Sequence, residues 1–204
     1  LIAWSIEAAI KSEKFEKILV STDDEEIAEI AQKYGAEAPF LRQNYADDYT
    51  PSSIATIEAL RQAELHWNTE FQIVSQLMPN CPLRDEKDIN LAVNNFVSQK
   101  ASSQISCFPF GWINPWWAVT IENKKYPKMI FPEAFKKRSQ DLPKLYCPTG
   151  AIWISRRKEL KTQKTFYSKK HTFFPISWLS AVDIDDHDDF KMAKALYLIK
   201  HRKI

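Results

Sequence analysis

The first pattern along the chain is helical. Ile2, Ile6 and Ala9 recur at three- to four-residue spacing in LIAWSIEAAI, and after the charged KSEKFEK stretch the run Ile18, Leu19, Val20 reads as a short buried strand. STDD follows, then EEIAEIAQKYG, where Ile27, Ile30, Ala31 and Tyr34 make one apolar stripe and Gly35 supplies the stop. The rhythm repeats with APFLR as a strand, Thr50-Pro51 opening a helix that carries Ile54, Ile57 and Leu60, and FQIVSQLM as another buried strand. PNCPLR is a proline-marked loop, DEKDINLAVNNFVSQ an amphipathic helix through Ile89, Val93 and Phe96, and SQISCFPF a further strand. From Gly111 to about Leu145 the sequence is rich in Trp, Pro and Lys and loses any sustained period. Regularity returns with GAIWIS and SAVDID as strands, and DDFKMAKALYLIKHRKI closes the chain as a docked helix through Phe190, Ala193 and Leu196.

Strands alternating with helices predict an α/β domain with a largely parallel sheet, helices on both faces and ligands at the carboxyl ends of the strands. The expected organisation is one domain over residues 1–204, broken by an irregular excursion at 111–145. Composition narrows this picture. A chain of 204 residues, 45% hydrophobic, buries one substantial core. A formal charge of +2 and the lack of a membrane-length apolar run argue against nucleic-acid steering and membrane insertion. Cys81, Cys107 and Cys147 are odd in number and far apart, which fits reduced thiols and a cytoplasmic setting. With only Gly35, Gly111 and Gly150, there is no glycine-rich phosphate loop, and the chain opens at Leu1, inside a helical pattern, without a capping residue.

Asp183 and Asp185 flank Ile184 at the end of an expected strand, so a period of two puts both carboxylates on one side of the ligand edge. Such a pair suits one Mg²⁺, which takes one or two carboxylates together with phosphate oxygens. Helix capping is the competing reading and the favoured one on spacing alone; Asp186, Asp188 and Asp189 fit it better than they fit a site. Ser21, Thr22, Asp23 and Asp24 stand where the first strand ends and either face a nucleotide or give a plain N-cap box, Thr22 or Asp23 with Glu25 or Glu26. Ser52 and Ser53, at a helix start, carry the same ambiguity. The aromatic group Phe108, Phe110, Trp112, Trp116 and Trp117 reads first as core or interface, and the basic residues Lys136, Lys137, Arg138, Arg156, Arg157 and Lys158 as a solvated face.

Taken in order, VSTDDEEIAEIAQKYGAEAPFLR, PNCPLRDEKDI, RSQDLPKLYCPTGAIWI and VDIDDHDDF resemble the acylneuraminate cytidylyltransferase family along nearly the whole chain. The resemblance implies a three-layer α/β/α, Rossmann-like nucleotidyltransferase (glycosyltransferase A-like) fold with a small dimerisation excursion. It implies transfer of CMP from CTP to an acidic sugar, with Mg²⁺ and release of pyrophosphate, in a homodimer whose irregular middle segment reaches the partner's site. By the same resemblance Asp183 and Asp185 hold the metal and are the catalytic pair, and Arg42 and Ser53, joined by Ser21 and Asp23, meet the nucleotide. Arg138, Trp153, Phe166 and Tyr167 shape the sugar pocket, Arg138 by its bidentate fork. The family's opening strand and basic, glycine-containing loop are expected outside this chain, which on its own is expected to be poorly active. Met78 stands where the family commonly has glutamine and Thr149 where it commonly has asparagine, so the sugar accepted is expected to differ from common sialic acid. A non-catalytic sugar- or protein-binding descendant of the fold, and a transferase of different sugar or nucleotide choice, are the rival readings.

Overall fold

The computed structural model describes residues 1–122 and 126–201; the excursion and the closing helix, as expected from sequence, also run onto 123–125 and 202–204, which lie outside the described residues. Six helices, α1 (Ile2–Ser12), α2 (Glu25–Lys33), α3 (Ser52–Trp67), α4 (Glu86–Ser98), α5 (Arg157–Gln163) and α6 (His187–His201), accompany strands β1 (Ile73–Gln76), β2 (Ser103–Pro109), β3 (Val119–Glu122), β4 (Tyr126–Met129), β5 (Tyr146–Arg156) and β6 (His171–Pro175). The main sheet has the order β1-β5-β2-β6. Strands β1, β2 and β6 run one way and β5 runs against both of its neighbours. The reversal follows from connectivity. The chain leaves β2 at its carboxyl end, makes the excursion, and re-enters β5 at the same edge, where Phe110 N–H donates to Leu145 O at 3.0 Å. A strand that returns through the edge it left by must be antiparallel.

Alternation along β5 sorts the layers. Ile152 and Ile154 face a core with Ala8 of α1 and Ile89, Ala92 and Phe96 of α4. Trp153, between them, faces the opposite cluster of Ile105, Leu160 of α5, Phe166 and Ile57 of α3. The sheet is therefore covered by α1 and α4 on one face and by α3 and α5 on the other, the α/β sandwich that the helix-strand alternation predicts. α6 docks apart, on Leu83 and Val182 through Ala193 and Leu196. Its Phe190 remains exposed, unlike the expected docking residue.

Three expected strands are not strands. Ile18–Val20 and the chain entering APFLR pair in parallel only through one bridge, Leu19 with Glu37, the residue before that segment. Val20 N–H donates to Glu37 O at 2.9 Å and Glu37 N–H to Ile18 O at 2.8 Å. The next donor in that ladder would be residue 39, and Pro39 has no N–H, so pairing resumes only with Arg42 N–H to Thr22 O at 2.7 Å. The segment 181–185 is an extended loop across the carboxyl edge, fixed by Ile184 N–H to Asn80 O at 3.0 Å. Conversely, β6, α5 and the β3–β4 hairpin inside the excursion had no clear period in the sequence. Helix α2 is rotated from the expected stripe: Ala28 and Ala31 are buried, while Ile27, Ile30 and Tyr34 are exposed, because the small alanine face lies nearest Ile6 of α1.

Phe96 is wholly buried between α4 and the sheet, beneath the Arg156 guanidinium at 5.6 Å. Phe96→Ala is expected to cost about 3–5 kcal/mol in urea unfolding. Leu91→Ala, on the exposed side of the same helix, is expected to stay within about 0.5 kcal/mol.

Candidate active site

The carboxyl ends of β1, β2 and β6 and the start of β5 meet at one edge of the sheet, where the 78–84 and 176–186 loops cross. The first of these loops is pinned from beneath. Arg84, only 2% exposed, donates from Nη1 to Met78 O at 3.1 Å and to Ala151 O at 2.8 Å. Burial lowers its pKa to about 10, so it stays charged at neutral pH. Met78 N–H in turn donates to Gly150 O at 3.2 Å. The Met78 thioether lies so close over Gly150 that a Cβ there would meet Sδ at 2.3 Å. A side chain at 150 would therefore displace the flexible Met78 thioether, while the backbone there does not call for a glycine φ.

Asp183 sits above this junction. Cys81, fully buried, donates its thiol to Asp183 Oδ1 at 3.6 Å and lies 3.8 Å from Thr149 Oγ1. The Thr149 carbonyl accepts Trp153 Nε1–H at 2.8 Å, and the Trp153 ring meets Tyr167 edge-on at 5.7 Å and Phe166 at 5.3 Å. Asp183 and Trp153, assigned to metal and sugar in the sequence, are joined through Cys81 and Thr149. Phe166 belongs to the core beneath Trp153, fully buried against Ile105 and Leu160, and supports the wall without facing it; this corrects its expected place in a pocket. Tyr167 is half exposed at the rim.

The ambiguity at the aspartates resolves by geometry. Asp186 Oδ1 accepts the amides of Asp188 and Asp189, and Asp189 Oδ2 accepts those of Asp185 and Asp186, so these two residues cap α6. Asp183 and Asp185 are left out of the cap. Partial burial raises the Asp183 pKa, and the neighbouring Asp185 carboxylate raises it further. Two carboxylates that repel one another suit a divalent cation, and among the described residues no group of three or more His, Cys, Asp or Glu forms a cage. An ion held here would complete its shell from ligand oxygens, the habit of Mg²⁺.

A second group forms at the first strand end. Asp24, not Thr22 or Asp23, caps α2, accepting from Ile27 N–H at 2.9 Å. That leaves Asp23 to pair with Arg42 at 3.5 Å, while Arg42 Nη1 donates to Ser21 O at 3.3 Å. Ser21 Oγ and Arg42 Nε are buried without a hydrogen-bond partner, which is costly unless a ligand meets them. Ser53 is buried in the first turn of α3, whose Thr56 reaches Gln76 of β1 at 2.8 Å. Arg138 is exposed on the excursion, its guanidinium paired with Asp141 at 2.9 Å. Cys81 and Arg84 were missed as site residues, since a thiol and an arginine in a proline loop carry no spacing signal.

The Asp183–Asp185 repulsion predicts a stability effect. Asp183→Asn is expected to melt slightly above the parent at pH 7.5, by about 2 °C or less given surface screening. The gap is expected to close as pH falls through the raised Asp183 pKa, because the parent then takes up the proton that relieves the repulsion; calorimetric scans across pH 4–8 check this.

The sequence model of a family described as cytidylyltransferase matches residues 1–174. Over 203 residues the chain is 32% identical to a pseudaminic acid cytidylyltransferase of Campylobacter jejuni, a match covering 98% of this chain and 86% of that protein. It is 35% identical over 203 residues to a CMP-N,N'-diacetyllegionaminic acid synthase of the same species, covering 98% and 85%. Among solved structures, a CMP:2-keto-3-deoxy-manno-octonic acid synthetase complexed with CTP superposes with a TM-score of 0.69 at 14% identity, over 98% of this chain and 88% of that one.

Proposed function

The chain belongs to the cytidylyltransferase family and is a nucleotidyltransferase, and from that premise we propose that it transfers CMP from CTP to an acidic, nonulosonic-type sugar for surface-glycan synthesis. The observation that carries the reading is the pair Asp183 and Asp185, excluded from the α6 cap and mutually repelling, at the ligand edge of the sheet. The names of the relatives, pseudaminic and legionaminic acid enzymes, support the sugar class.

In this reading the chain acts by placement. Asp183 and Asp185 hold Mg²⁺, which when bound supplies charge neutralisation at the α-phosphate. Ser21, Asp23, Arg42 and Ser53 meet the nucleotide, the unpartnered Ser21 Oγ and Arg42 Nε gaining acceptors and donors from it. Trp153 presents an apolar ring, its one N–H already committed to Thr149, and Tyr167 forms the rim beside the sugar. Arg138, exposed on the excursion and paired only with the neighbouring Asp141 among its described contacts, serves the sugar carboxylate across a homodimer. The excursion that carries it exposes Trp112, at 89%, together with Ile113, Ile121 and Phe131, an apolar surface of the kind that subunit contacts cover.

Calorimetric titration of CTP, with ATP as control and with or without Mg²⁺, tests the nucleotide assignment. CTP-selective, Mg²⁺-enhanced binding is expected in the parent, and its loss in Asp183→Ala/Asp185→Ala. Arg42→Ala is expected to weaken CTP about tenfold, the worth of one charge-assisted hydrogen bond. Pyrophosphate release with CTP and an acidic nine-carbon sugar is expected to fall about 100-fold or more in Asp183→Ala. Equal binding of ATP and CTP, or release indifferent to Asp183, would sink the reading.

A further inference from the structure

We propose that Cys81 is the positioning residue for Asp183, its thiol engaging one carboxylate oxygen so that the carboxylate is presented to the cation in one orientation. The proposal rests on the reading above, in which Asp183 holds a divalent ion. Cys81 is sealed from solvent, and its Sγ has two polar neighbours, Asp183 Oδ1 at 3.6 Å and Thr149 Oγ1 at 3.8 Å. The Thr149 hydroxyl donates to Ala181 O at 3.3 Å and accepts from Ala151 N–H at 3.3 Å, so its proton is already directed elsewhere. A thiol carries its proton at neutral pH and an ionised carboxylate only accepts, which makes Asp183 the acceptor of the S–H.

The thiol is itself fixed from both sides. Cys81 N–H donates to Met78 O at 3.3 Å, the carbonyl that Arg84 also holds, and the adjacent Asn80 O accepts from Ile184 N–H at 3.0 Å, one residue beyond Asp183. Loop 78–84 and the Asp183 loop are thus tied by one backbone bond and one side-chain bond. The backbone bond sets the position of Asp183; the thiol sets how its carboxylate turns. Outer partners that orient a ligating carboxylate typically contribute 10–100-fold in metal affinity, and a weak S–H donor belongs at the lower end.

Binding of Mn²⁺ in the presence of CTP, followed by loss of the free-ion paramagnetic resonance signal, separates orientation from packing. Cys81→Val fills the same space without a donor and is expected to weaken Mn²⁺ about tenfold. Cys81→Ser restores a donor and is expected to stay within about threefold of the parent. CTP affinity in EDTA is expected to be unchanged in both. Should Cys81→Val fail to melt cooperatively, Cys81→Ala supplies the donor-free comparison. Parent-like Mn²⁺ affinity in the donor-free variant, or equal losses with Val and Ser, overturns the positioning role. An Asp183→Ala variant that binds Mn²⁺ as the parent does overturns the cation reading as well, whereas Asp183-dependent binding indifferent to Cys81 overturns this inference alone.

Discussion

A guanidinium shut away from water is costly where its donors go unmet, and that of Arg84 is met in part, at Nη1, by backbone carbonyls rather than by a carboxylate. Its Nη1 ties Met78 O, after β1, to Ala151 O, within β5, while Nε and Nη2 remain unpartnered. Removing the side chain would take this donor from Ala151 O and leave Met78 O with only the Cys81 amide, and an unmet buried carbonyl costs of order 1–3 kcal/mol. Everything at the ligand edge hangs from this point. Because Met78 is held, its side chain covers Gly150 and its carbonyl also receives the Cys81 amide; because Cys81 is held, Asp183 has a fixed neighbour. The outer face of the same region is closed by Lys200 of α6, which reaches Leu83 O and the Asp85 carboxylate at 2.8 Å each.

The layers and helices were legible because they rest on period. Ile6 and Ala9, Ile89 and Phe96, and Ile152 and Ile154 are buried where helical or strand spacing places them. What escaped was set by single atoms or by connectivity. No periodicity shows that Pro39 lacks the amide that would continue a ladder, or that β5 must reverse because the excursion returns it to the edge of departure. Of the expected stripe on α2 only Ala31 is buried; Ala28, which scores little as a hydrophobe, joins it, since small side chains permit the closest helix approach.

The site was legible in part for the same reason. Asp183 and Asp185 stood out by alternation, but the sequence could not separate them from the cap, since five aspartates lie within seven residues and only hydrogen bonds to particular amides show which two are engaged. Asp23 and Asp24 posed the same problem, solved the same way. Phe166 illustrates the opposite error: an aromatic beside Tyr167 invites a shared role, whereas in the bend that carries them both rings meet Trp153, Phe166 from the core and Tyr167 from the half-exposed side.

The two halves of the site are also built to different standards. Asp183 and its neighbours lean on β5, the long central strand, over a core that includes Cys81, Phe96 and Ile152. Ser21, Asp23 and Arg42 lean on a ladder broken at Pro39 and on a 3.5 Å ion pair whose aspartate is half exposed, where screening leaves little net attraction. Local stability follows buried apolar contact and unbroken backbone pairing, so the half around Asp183 is the rigid reference and the half around Ser21 and Arg42 the one with freedom to adjust. A transferase that works by placement needs one fixed frame against which the other substrate is brought into line. Buried atoms without a partner occur in both halves: Ser21 Oγ and Arg42 Nε in the adjustable one, Asn80 Oδ1 and Arg84 Nε and Nη2 in the rigid one.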